Sequence, residues 1–171
     1  MRCTTFDEVL QSNQPTLGEM CERGENNISF VCTYISAGII SYLDFVGRKN
    51  TMNDRQVAET ADLIRTEYPT LQFDDIALFI RMCKLAHFGK LYDITAISLL
   101  EWITMYVNER KIAKNNMYDR LQKEQEKERR ERSEAEYRSM SDVEKEKIRQ
   151  GMKDLINKTA TEFGINKPKD L

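Results

Sequence analysis

The stretch Asp74-Asp75-Ile76-Ala77-Leu78-Phe79-Ile80-Arg81-Met82-Cys83-Lys84-Leu85 decides the fold. Ile76, Phe79, Ile80 and Cys83 form one stripe at helical spacing, while Leu78, Met82 and Leu85 form another, so this helix is apolar nearly all round. Such a helix is stable only when other helices surround it. The segment therefore predicts an all-α protein, a small helical bundle with 74–87 at its centre, ending at Phe88-Gly89. There the glycine is expected to supply a positive φ. Asp74 and Asp75 read as first-turn carboxylates favoured by the helix dipole.

Working outward, Asn26 to Leu43 contains no charged residue, yet Ser29, Thr33, Ser36, Gly38 and Ser41 interrupt its apolar run. A membrane span needs about 20 predominantly apolar residues. Ile28, Val31, Ile35, Ile39 and Tyr42 share one helical stripe, which favours a core helix stopped by Gly47 over a membrane span. Thr51-Met52-Asn53-Asp54 then caps an amphipathic helix carrying Val57, Ala61, Ile64 and Tyr68, and Pro69 stops it. On the other side, Asp93 is placed to cap a helix starting at Ile94. Ile97, Leu100, Ile103 and Val107 are expected on its buried side, with Leu99, Trp102 and Tyr106 on an adjoining one. Residues 1–25 read as an irregular segment in which Thr4 or Thr5 caps a short helix through Leu10, before Pro15, Gly18 and Gly24 break the pattern.

The helical body is thus expected over 26–121. From Gln122 to Glu134 no residue is apolar and ten of thirteen are charged, so 122–140 reads as a solvated helix. Glu126 with Arg130 and Glu128 with Arg132 are expected as i, i+4 pairs. No a/d seam of a coiled coil survives beyond Leu121. Ser141-Asp142-Val143-Glu144 is a capping box opening a last helix within 141–171. Its face of Ile148, Met152, Leu155, Ile156, Thr159 and Phe163 is expected to dock onto a second copy or another partner.

Composition narrows function by exclusion. With 171 residues, 7 Gly and 3 Pro, the chain is neither collagen-like nor a flexible linker. The four cysteines form no C-x-x-C pair, and Met1 is followed by polar residues, so a reducing, cytoplasmic setting is expected and no membrane association. Cys83-x-x-x-His87 is the nearest approach to a metal motif, but two further ligands at paired spacing are missing, and no metal or cofactor is expected. His87, the sole histidine, lies in no catalytic context, and Gly89-Lys90 lacks the flanks of a phosphate loop. A non-enzymatic protein is expected.

Charge is uneven along the chain. Residues 1–109 carry 9 basic and 15 acidic side chains, and residues 110–171 carry 17 and 13. Arg110, Lys111, Lys114, Arg120, Lys123, Lys127, Arg129, Arg130 and Arg132 can reach phosphates along a nucleic-acid backbone without reading bases. Five acids interspersed among them weaken that contact or leave the helix simply solvated.

Phe88-Gly89-Lys90-Leu91-Tyr92, followed by Trp102-x-x-x-Tyr106-x-x-x-Arg110, is the most distinctive pattern in the chain. Over roughly 54–112 it resembles small helical proteins of unassigned function carried by bacteriophages and mobile elements, especially of Bacteroidetes-type hosts. Its layout is also similar to phage helicase-loader proteins, which join a compact helical domain to a charged tail. The resemblance implies an accessory protein that binds a replication or nucleoprotein component in the host cytoplasm. The alternative is a structural or virion protein acting through its C-terminal helix. Phe88, Gly89, Lys90, Tyr92, Trp102 and Tyr106, with Ile148, Met152, Leu155, Ile156 and Phe163, are the candidate partner-binding residues. Packing of the hairpin alone also accounts for the first group.

Overall fold

The computed structural model describes residues 4–47, 52–89 and 94–162. These form an all-α protein of seven helices among the described residues: α1 (Phe6–Leu10), α2 (Leu17–Glu22), α3 (Glu25–Val46), α4 (Asp54–Glu67), α5 (Phe73–Lys84), α6 (Ala96–Ser139) and α7 (Asp142–Glu162). They fall into two compact units, Met1–Asp119 and Arg120–Leu171, with the division lying inside α6.

In the first unit α3 packs against α2, α4 and α5. It buries Val31, Ile35, Ile39 and Tyr42, the stripe expected from the sequence, and ends at Gly47 in the left-handed conformation, φ 67°. By length and composition α3 could cross a membrane, with mean hydropathy 1.5 over its most apolar window, but here its buried stripe belongs to the core. Asn53 caps α4 in a reciprocal box with Gln56, and Val57, Ala61 and Ile64 face inward. α5 buries Ile76, Leu78, Phe79, Ile80 and Cys83, as expected of the central helix, whereas Leu85 is 70% exposed just beyond its end.

Two local expectations are corrected. The expected short helix capped by Thr5 and ending at Leu10 is present, but the residues after it are not irregular. Capping boxes at Thr5 and Thr16 start two short helices, Val9 and Leu17 are fully buried, and Leu17 N donates to Leu71 O at 2.7 Å. The Gln72 side-chain amide also binds Ser12 O and Gln14 O. In α6 the buried positions are Leu99, Trp102, Ile103 and Tyr106, while Ile97 is 70% exposed. The register is rotated because Phe6, Tyr42 and Phe79 offer aromatic partners to Trp102 and Tyr106. Thr95 accepts the Ser98 N–H at the start of this helix, and Asp93 lies outside the described residues. Gly89 takes the expected positive φ, 159°, and Ala86, just after α5, is a second positive-φ residue at 56°.

In the second unit α6 ends at Ser139, and Ser141 with Glu144 forms the expected capping box of α7. Lys145 bridges the two helices there, donating to Arg138 O at 3.3 Å with its ammonium 5.9 Å from the Tyr137 ring centre.

Candidate partner groove and basic helix

Asp75 is fully buried. Its Oδ2 accepts the Gln72 backbone N–H at 2.8 Å, while Oδ1 accepts Tyr106 Oη–H at 2.8 Å and Arg110 Nε–H at 2.6 Å. A carboxylate so placed is retained because every approach is answered by a donor. The cluster fixes the start of α5 against α6, with Asp75 and Tyr106 fully buried. Arg110, read as a phosphate contact, is 16% exposed and committed to Asp75. It therefore leaves the solvated basic set.

The Phe88–Gly89 turn is also consumed internally. Phe88 is 8% exposed and packs on Phe79, with ring centres 5.8 Å apart. A Cβ on Gly89 would lie 3.6 Å from the Trp102 indole nitrogen. Trp102 is 8% exposed and Tyr106 is fully buried. These four partner-binding candidates thus hold the hairpin together, which their aromatic bulk and the missing Cβ are suited to do. Lys90 and Tyr92 lie outside the described residues.

Cys83 and His87 do not meet. α5 stops at Lys84 and the chain turns through Ala86, so the i, i+4 relation is lost. Cys83 is 1% exposed, and burial pushes its thiol far above the usual range. His87 Nε2 instead sits 3.0 Å from both carboxylate oxygens of Glu109. Among the described residues no group of three or more His, Cys, Asp or Glu side chains is placed to hold a metal.

An open groove does lie between α3 and α5, of about 520 Å³. Ala37, Gly38 and Ser41 on α3 face Ile76, Ala77 and Ile80 on α5 along its floor. A Cβ on Gly38 would come within 3.1 Å of Ile80 Cγ1, so the glycine sets the close approach of the two helices. One end is aromatic. Phe73 meets Tyr34 at 4.9 Å and Phe30 at 5.8 Å, both edge-on, and Tyr34 Oη–H donates to Phe73 O. Burial first, and then the Asp74 charge, raises the Tyr34 phenol. The other end is cationic. Lys84 Nζ donates to Ser41 Oγ at 2.8 Å and lies 5.6 Å from the Phe45 ring centre, with Arg81 exposed beside it. Phe30 and Phe45 are 55% and 61% exposed. No motif announced this groove. Its signal was the uncharged second face of 28–43, which the core stripe does not use.

The remaining basic residues divide between the two units. In the first, Lys114 places its ammonium 5.8 Å from the Tyr118 ring centre, and Lys111 is exposed. In the second, Arg120, Lys123, Lys127, Arg129, Arg130 and Arg132 are all exposed. Lys127 pairs with Glu131 at 3.8 Å, and Arg130 pairs with Glu134 at 2.9 Å rather than with Glu126. Exposed pairs of this kind contribute little and leave both charges accessible. On α7, Met152, Leu155 and Ile156 are 62%, 66% and 67% exposed and Ile148 is partly covered; Phe163 lies outside the described residues. Comparison of the chain with protein-family models, curated proteins and solved structures finds no match.

Proposed function

We propose that the protein is a non-enzymatic adaptor whose helical body takes a partner helix into the α3/α5 groove. Its basic helical stretch would add weak, sequence-independent contact with nucleic acid. The observation that carries this reading is the groove's construction: a floor of small and aliphatic side chains between Tyr34 at one end and Arg81 with Lys84 at the other. Small floor residues let a helix backbone approach, exposed Phe30 and Phe45 offer apolar contact outside the lining, beside Phe73 and Lys84, and Arg81 with Lys84 favour carboxylates at one end of the guest. That is helix-in-groove recognition. Exposed Lys111, Lys114, Lys123, Arg129 and Arg132 support the nucleic-acid contact, because phosphates need cations within reach and no base-reading geometry. The phage or mobile-element setting and a replication or nucleoprotein partner rest on the sequence resemblance over 54–112, and a cytoplasmic location on the four cysteines without a C-x-x-C pair.

Affinity purification from the native cell, with and without nuclease, tests the reading. The unmodified chain is expected to retain a protein partner after nuclease treatment, and Arg81→Glu with Lys84→Glu is expected to lose it without altering the body's melting. Retention of the same partner by that double variant would refute the groove assignment. A structural or virion role is the second reading, favoured by the exposed Met152, Leu155 and Ile156 of α7.

A further inference from the structure

We propose that α7 is a self-association seam, in which two copies of the chain pair antiparallel about a two-fold axis at the level of Gln150, beside Gly151. The proposal is independent of the groove. Ile148, Met152 and Leu155 recur at the spacing of a helix–helix seam, and Met152 and Leu155 are about two-thirds exposed. Around an axis at the level of Gln150, Ile148 of each copy meets Met152 of the other. Leu155 meets the stem of Lys145, whose ammonium is already turned toward Tyr137 and the Arg138 carbonyl.

Charge selects the second copy as the occupant. Glu144 and Lys158 stand two helical turns either side of Gly151 on the same flank of the stripe. An antiparallel copy therefore brings Glu144 against Lys158 twice. Ser141 engages Oε2 of Glu144, through its N–H at 2.9 Å and its hydroxyl at 2.7 Å, which leaves Oε1 outside the cap. On the opposite flank Arg149 meets its own copy, each neutralised by Glu146 of its own helix at 3.3 Å. Gly151 adds an independent argument. A glycine inside a helix is unfavourable relative to alanine, and a Cβ there would touch nothing within 4 Å of its own chain. Close approach of two helix backbones beside the axis, where Gly151 of one copy comes next to Gly151 of the other, gives the residue a use.

Sedimentation equilibrium of the nuclease-treated, full-length chain tests this across the micromolar range. A monomer–dimer equilibrium is expected. Glu144→Lys and Lys158→Glu should each weaken it about tenfold, because each converts two attractive pairs into two repulsive ones. The combined reversal should restore it, although it lacks the same Ser141 cap as Glu144→Lys alone. Gly151→Leu should abolish the dimer while leaving helix content by dichroism unchanged or higher. A monomer at every concentration would overturn the proposal. So would a dimer indifferent to these changes, or a combined reversal that stays as weak as the single ones.

Discussion

Replacing Arg110 by Met removes the guanidinium from the fully buried Asp75 while keeping most of the side chain's length and apolar contact. Asp75 then keeps two donors, Gln72 N–H and Tyr106 Oη–H, and loses the third, at 2.6 Å. Removing one member of a buried ion pair costs about 3–5 kcal/mol. The surviving donors and the 16% exposure of Arg110 place this case at the lower end, about 3 kcal/mol. With a urea slope of about 1.5 kcal/mol/M, the unfolding midpoint should fall by about 2 M. Trp102, the only tryptophan and 8% exposed, reports the transition of the first unit by fluorescence. Asp75→Asn with Arg110→Met closes a double-mutant cycle, expected to return a coupling of about 2 kcal/mol. A loss below about 0.5 kcal/mol for Arg110→Met is what a solvated surface arginine gives, and it would refute the buried-pair account.

Gly38→Val should lower the same transition by about 1–3 kcal/mol, since its Cβ would press on Ile80 Cγ1 at 3.1 Å and overfill the α3/α5 contact. Tyr42→Phe should be neutral or stabilising by urea unfolding. Its hydroxyl is buried with no hydrogen-bond partner among the described residues, and burial pushes the phenol up to about 12. Hydrogen bonds from the Ser141 side chain and backbone hold Glu144 below the usual carboxylate range. Because its folded value is the lower one, the capping contribution is fully present above the ordinary Glu range and is lost as pH falls through the lowered value. Dichroism should therefore show α7 losing helix on acidification, and Glu144→Gln should remove that part of the titration.

The elements legible in the sequence are those governed by neighbours along the chain. The stripe Val31, Ile35, Ile39 and Tyr42, the stops at Gly47 and Pro69, and the Ser141–Glu144 box all depend on residues within a few turns. The misreadings share a different physical origin. Asp75 is the first-turn acid that its position indicates, but its burial with Tyr106 and Arg110 appears only when another helix is brought to it. Arg110 looks like the first residue of a basic run for the same reason. Residues 4–25 look irregular because their order is supplied by the Gln72 amide, the Leu71 carbonyl and the Asp74 carboxylate, which accepts Ser12 Oγ–H at 2.9 Å. The groove was hidden because small residues such as Ala37, Gly38 and Ala77 are silent until two helices set them face to face. Exposed α7, by contrast, keeps the apolar stripe that its sequence displays.

A photoreactive amino acid placed at Ala77 or Ala37 in the groove, and at Ile97 as an exposed apolar control, tests the central claim most directly in the native cell. The account predicts nuclease-resistant crosslinks to one protein from Ala77 and Ala37 and none from Ile97, suppressed when Arg81 and Lys84 are changed to Glu. Equal crosslinking from all three positions, or from Ile97 alone, would contradict it.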